Sequence, residues 1–180
     1  MLKTVVAILL VVLTGCVSTP SKGLEKEPVL LGPMPIFEAS PAFNKLVKTA
    51  PGSQEYEKAR IDYLFERLSK SRYNFIRNDS TYSSARAVMH IKWKYLRYHN
   101  EAKTAEDFIE NCATGSRVSG RPYLIKAGPS ESYRIADIFS NELKVLDDEL
   151  IRYQDQIKKQ LEALQKEKTE LAQSVDPTVG

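Results

Sequence analysis

The chain has 180 residues, 26 of them basic and 23 acidic, for a formal charge of +3. That near balance, without a basic stripe, lacks the electrostatic footprint of a nucleic-acid binder. Two cysteines, Cys16 and Cys112, are too few for a thiolate zinc site, and the length suits one domain of ordinary size with extensions.

Met1-Leu2-Lys3 is a short n-region with one positive charge, and Thr4 to Leu13 is an almost unbroken apolar run. It is shorter than the about 20 apolar residues a spanning helix requires, and reads as a secretory signal peptide, residues 1–15, that is removed. Its end, Leu13-Thr14-Gly15-Cys16, resembles the bacterial lipoprotein signal: a branched apolar residue three before the cysteine and two small residues between. The resemblance implies cleavage after Gly15, a thioether-linked lipid on Cys16 and acylation of the new amine, palmitate being one such chain. More than one chain makes physical sense, because one holds a protein only marginally at about 0.8 kcal/mol per buried methylene. Val17 and Ser18 follow in place of the aspartate that retains such proteins in the inner membrane. For a Gram-negative source this implies the outer membrane, periplasmic side. Cys112 is then the remaining thiol, and an oxidising compartment favours its burial.

Residues 16–52 read as the lipidated cysteine and a Pro-rich tether, with Pro20, Pro28, Pro33, Pro35, Pro41 and Pro51 blocking regular structure. Fully extended it would reach roughly 110 Å at about 3.1 Å per residue. Leu31, Met34, Ile36 and Phe43 make its second half more apolar than a spacer, so that it either lies against the domain or offers a short recognition segment.

Residues 53–140 carry the pattern of an α+β domain. Ser53 caps a helix with Tyr56, Ala59, Ile61, Leu64, Phe65 and Leu68 at helical spacing. Residues 73–77 have strand character and Asn78-Asp79-Ser80 is a turn cluster. Ser83 or Ser84 opens a second helix to about His99, with Ala87, Ile91, Tyr95 and Tyr98 inward. Thr104 and Asp107 form a capping box for a third, in which Ala105, Phe108, Ile109 and Cys112 share a face. Gly115 and Gly120 bracket a loop before a second strand at 122–126, expected to pair with 73–77. The expected fold is helix-rich α+β: a small two-stranded ribbon packed on three helices. A last helix starts at Pro129-Ser130 and continues through 141–173 as an extension, with 174–180 a disordered tail. Leu143, Leu150, Ile157, Leu164 and Leu171 recur every seven residues, with Leu146 and Tyr153 at the complementary position before Gln160 and Glu167 replace them. That half-seam leaves three readings open: a homotypic coiled coil, a handle for a protein partner, or a solvated helix.

Four ordered blocks then stand out: Phe75-Ile76-Arg77-Asn78, Ala87 to Lys94, Thr104 to Ile109, and Ser119-Gly120-Arg121-Pro122-Tyr123. They are similar to the YfeK-like family of small exported bacterial proteins of unknown function, over about residues 59–138. The resemblance implies export and a shared fold but no activity, cofactor or catalytic residue. Where family members usually have Gly after the Asn of the first block, this chain has Asp79, which tolerates the same left-handed turn.

Arg77, Asn78, His90, Lys94, Glu106, Ser119 and Tyr123 are the polar residues in these blocks. They form either a structural network, with Glu106 pairing Lys94 or Arg77, or a pocket in which Arg77, His90 and Lys94 hold an anionic group. His90 and His99 are nine apart, on different helix faces, which argues against a shared metal. None of G-x-S-x-G, H-E-x-x-H or a phosphate-binding P-loop is present. The expectation is a non-enzymatic, lipid-anchored envelope protein, an adaptor or assembly factor. It would hold the membrane through its lipid and engage a protein partner or second copy through the C-terminal helix, with no cofactor beyond the covalent lipid and no nucleic acid. The alternatives are a periplasmic module binding a small anion and, third, an envelope hydrolase.

Overall fold

A computed structural model describes residues 27–174. The signal peptide, Cys16, the first part of the tether and residues 175–180 lie outside the described residues. The element order is α1 (Pro41–Leu46), α2 (Gln54–Lys70), β1 (Asn74–Arg77), β2 (Ser80–Tyr82), α3 (Ser84–Tyr98), α4 (Ala105–Phe108), β3 (Leu124–Lys126), β4 (Ser132–Arg134) and α5 (Ile135–Ser174). A π-helical turn, Ile109–Ala113, continues α4.

The fold is α+β, as expected, but its sheet has four antiparallel strands in the order β2-β1-β3-β4. The expected pairing is present, with Phe75 opposite Ile125. The two further strands escape a pattern reading because Ser80-Thr81-Tyr82 and Ser132-Tyr133-Arg134 carry no run of apolar residues. β2 returns from β1 through Asn78 and Asp79, both at positive φ (48° and 63°). That is the signature of a type I′ hairpin loop, whose twist matches the strands it joins. β4 occupies the place assigned to the start of the last helix, so α5 begins at Ile135 instead of Pro129-Ser130. In register, Tyr82, Phe75, Ile125 and Tyr133 form one row across the sheet. Phe75 and Ile125 are buried under the helices.

The caps behave as read. Ser53 accepts from Tyr56 N at 3.1 Å, and Thr104 with Asp107 closes a reciprocal capping box. The core joins Ile61, Leu64, Phe65 and Leu68 of α2 to Ile91, Phe108, Ile138, Phe139, Leu143 and Leu146. Cys112 is fully buried within it.

The tether requires correction in its described part. Leu31, Phe37, Ala42, Phe43 and Leu46 are buried, while Met34 and Ile36 face outward. Ser40-Pro41 is a helix start: Ser40 Oγ accepts from Phe43 N at 3.1 Å, and Pro41 occupies the first turn, where no amide partner is needed. The folded body thus begins near Val29, whose carbonyl accepts from Asn141 Nδ2 at 3.1 Å. Its tie is Glu142, a carboxylate with no exposed surface. Glu142 accepts from Leu31 N at 2.7 Å, Tyr63 OH at 3.2 Å and Arg67 Nε at 2.7 Å.

At the other end, α5 packs on the body through Leu150. Tyr153 meets Phe43 edge-on at 5.9 Å, and from Gln154 to Leu171 every side chain is exposed. Leu143, Leu146 and Leu150 therefore belong to the core and are unavailable to a partner, contrary to the heptad reading. The exposed large apolar positions of α5 are Ile151, Ile157, Leu161, Leu164 and Leu171.

Candidate functional site

Period-2 alternation puts Arg77 on the same sheet face as Phe75, and Tyr123 on the same face as Ile125. That face looks toward α3, whose Ala87, His90 and Ile91 fall together at i, i+3 and i+4. Between them is a cavity of about 300 Å³ lined by Phe75, Ile76, Arg77, Tyr82, Arg86, Ala87, Met89, His90, Ile91, Tyr123 and Ile135.

His90 Nε2 lies 2.8 Å from Tyr123 OH, with the rings edge to face at 5.4 Å. Burial, then the positive charges of Arg77 and Lys94, holds the His90 imidazole below its ordinary pKa, so it is uncharged at neutral pH. Burial also pushes the Tyr123 phenol up, against the opposing charge and the side-chain hydrogen bond of Arg77. Arg77 is half-buried at the end of β1, and its buried Nε has no hydrogen-bond partner among the described residues. Arg86, on the first turn of α3, rests over the Tyr82 ring at 5.4 Å.

The seven polar candidates separate into two groups. Arg77, His90 and Tyr123 line the cavity. Lys94 does not: it is buried, donates to Gly115 O at 2.8 Å and lies over the Tyr123 ring at 5.1 Å. Its position at i+3 from Ile91 puts it on the inward stripe, and burial lowers its pKa. Gly115 must be glycine, since a Cβ there would stand 2.5 Å from Arg121 O. Asn78 and Ser119 tie the hairpin loop to the glycine loop, Ser119 Oγ donating to Asn78 Oδ1 at 2.8 Å, and Arg121 pairs with Asp79 beside them.

Glu106 is nowhere near this cavity. Instead of Lys94 or Arg77, it pairs bidentately with Arg60, at 2.7 and 2.9 Å. Arg60 also meets Asp147 at 2.9 Å and Glu57 at 3.2 Å, fastening α2 to α4 and α5. Burial opposes ionisation of Glu106, but the Arg60 hydrogen bonds win and lower its pKa. Sequence reasoning missed Arg86, Arg60 and Glu142. Arg86 had a signal: α3 contains no Asp or Glu, so its cations have no partner on their own helix.

This chain is 33% identical over 69 residues to the "Uncharacterized protein YfeK" of Salmonella typhimurium (strain LT2), a match covering 38% of this chain and 58% of that relative. The chain therefore spans less than two thirds of the curated relative's length. No solved structure matches. A family model described as a family of unknown function (DUF5329) matches residues 55–147, from the first turn of α2 to the packed part of α5. With more than half its length matched, the chain belongs to this family of unknown function, DUF5329.

Proposed function

We propose that this chain is a lipid-anchored, non-catalytic envelope protein, facing the periplasm, whose folded body carries the outer half of α5 to a helical segment of a partner protein. One observation carries the partner half of this reading. The helix continues beyond Leu150 to Ser174, and from Gln154 to Leu171 no side chain is buried in the body, yet Ile157, Leu161 and Leu164 recur at i, i+4 and i+7 on one stripe. Leu161 and Leu164 are 54% and 61% exposed. A helix of that length gains most of its stability from packing an amphipathic face, and a second helix supplies such packing. The anchor rests on Leu13-Thr14-Gly15-Cys16, and the non-catalytic part on the absence from the sequence of the common nucleophile and metal motifs.

Both halves are open to test. Cross-linking in intact cells should give one defined adduct from the outer half of α5. The double variant Leu161→Asp, Leu164→Asp should abolish it while leaving the fold intact. The adduct's mass separates a second copy of this chain from a different protein. An adduct that survives the double variant overturns the reading. For the anchor, Cys16→Ala should end metabolic labelling with palmitate and leave an unprocessed precursor.

A further inference from the structure

We propose that the cavity between α3 and the sheet binds a small amphipathic anion, an apolar body ending in one carboxylate or phosphate that Arg77 and Arg86 hold. This site is separate from the α5 stripe and does not depend on the partner reading. At about 300 Å³ it lies at the lower end of the range for ligand pockets. Its walls are mostly apolar: Phe75, Tyr82, Ala87, Ile91 and Ile135. The polar groups converge from β1, α3 and the residue before β3, and no carboxylate is among the lining residues.

Among the described residues three arginines are not exposed, Arg60, Arg67 and Arg77, and of these Arg77 is the one without a carboxylate partner. Arg60 and Arg67, both deeply buried, are matched by carboxylates at 2.7 Å. Arg77 and Arg86 form no ion pair among the described residues. Among the described residues Arg77 and Arg60 each have a buried Nε without a hydrogen-bond partner, but carboxylates hold the terminal nitrogens of Arg60 and none pairs with Arg77. A half-buried guanidinium without a counter-charge forgoes the charge-assisted, fork-like hydrogen bonds it is shaped to make with a carboxylate or phosphate. Lys94, which the sequence reading placed in an anion site, is already committed to the Gly115 carbonyl, so Arg86 supplies the second charge. His90 and Tyr123 hydrogen-bond one another beside Arg77 and add a polar edge to the apolar wall.

The ligand's two parts follow from the lining. A bare anion such as inorganic phosphate would leave the apolar wall wet, and a bare hydrocarbon would desolvate Arg77 without pairing it. A single amphiphile satisfies both. Met89 lies at this lining and is exposed, and it gives the apolar body a route to solvent.

Trp93 is the single tryptophan and stacks with His90 at 6.5 Å, so its emission reports on the cavity without a label. The full chain is titrated with decanoate and decyl phosphate below their micellar concentrations, beside decanol, decyltrimethylammonium, acetate and inorganic phosphate. One of the two anionic amphiphiles should saturate a change in Trp93 emission and raise the melting temperature. It should bind about tenfold or more tighter than decanol, the margin one charge-assisted hydrogen bond supplies. Which of the two binds tighter identifies the head group. Arg86→Gln and Arg77→Gln should each remove that margin while leaving decanol binding unchanged. Arg86 is exposed, so its variant keeps the fold and decides the matter if Arg77→Gln does not. Three results would overturn the proposal: decanol or decyltrimethylammonium binding as tightly, no saturable binding by either anion, or an Arg86→Gln variant that keeps the full margin.

Discussion

Glu142 shows how a single residue can govern a fold without being visible in the sequence. It sits among Leu143, Leu146 and other core residues in a Lys- and Glu-rich helix, where a glutamate reads as solvent-facing. Only the tertiary arrangement brings Arg67, Tyr63 and the Leu31 amide around it. Removing one partner of a buried pair leaves the other charge uncompensated, at a cost of about 3–5 kcal/mol. Glu142→Ala should therefore lose about that much in urea unfolding, and a loss under about 1 kcal/mol would contradict the buried-tie account. His90 gives a second residue-scale prediction. Its folded pKa lies below the ordinary value, through burial and then Arg77 and Lys94, so below about pH 6.5 the unfolded chain binds more protons than the folded one. Its contribution is complete above the unfolded pKa and is lost as pH falls through that value toward the folded one. Comparing wild type with His90→Gln in urea melts from about pH 7.5 to about pH 5, the variant should show the shallower loss. Equal slopes would assign the acid sensitivity elsewhere.

At the scale of elements, the sequence is readable where the signal is local and repeated. Ser53 and Thr104 with Asp107 fix two helix starts through side-chain-to-amide geometry that three or four residues encode completely. The strands at 73–77 and 122–126 carry enough apolar residues to be seen, whereas Ser80–Tyr82 and Ser132–Arg134 each hold one tyrosine among polar residues and give no apolar signal. Asn78-Asp79 was the available clue to β2, since two turn residues in succession between strand-forming runs mark a hairpin. The cavity was half legible. Arg77, His90 and Tyr123 stood in the recognisable blocks, but Arg86 lies just before one of them and is marked only by the lack of acidic residues on α3, and Lys94 could be assigned to the inner face only by counting from Ile91. In α5 the seven-residue spacing runs unbroken across a boundary that spacing cannot reveal: Leu143, Leu146 and Leu150 pack inward, whereas Leu161, Leu164 and Leu171 face out. Deleting residues 157–180 should then change the unfolding free energy by no more than about 0.5 kcal/mol, the scale of exposed substitutions, while helical ellipticity falls. A loss of several kcal/mol would mean that the outer half packs on the body. A deletion beginning at 143, by contrast, would cut out Leu146 and Leu150 and unfold the domain.

At the scale of the whole molecule, the family match and the folded body do not coincide. The match begins at residue 55, but the body begins near Val29, and the segment between contributes Leu31, Phe37, Phe43 and Leu46 to the core. Its prolines argued for a spacer because proline excludes regular structure, yet proline does not exclude packing. Pro33 lends its carbonyl to Arg67 at 2.9 Å, and Pro41 starts a helix. Truncating one buried large apolar residue costs about 2–5 kcal/mol, so losing four costs as much as the about 5–15 kcal/mol by which a typical domain is stable. A chain comprising residues 53–180 keeps every residue of the family match, but it would expose α2 and leave Glu142 without the Leu31 amide. It should show no cooperative urea transition and weak near-ultraviolet dichroism. A cooperative transition with a midpoint close to that of the full chain would show that the segment is an attachment to a self-sufficient domain. The distinction bears on the anchor as well. With residues 29–47 folded onto the body, only the stretch between Cys16 and about Pro28 is left to serve as tether, roughly 40 Å when extended at about 3.1 Å per residue. The proposed anchor would then hold the body close to the membrane, and the outer half of α5, about 36 Å of helix at 1.5 Å per residue, would supply reach that the tether does not.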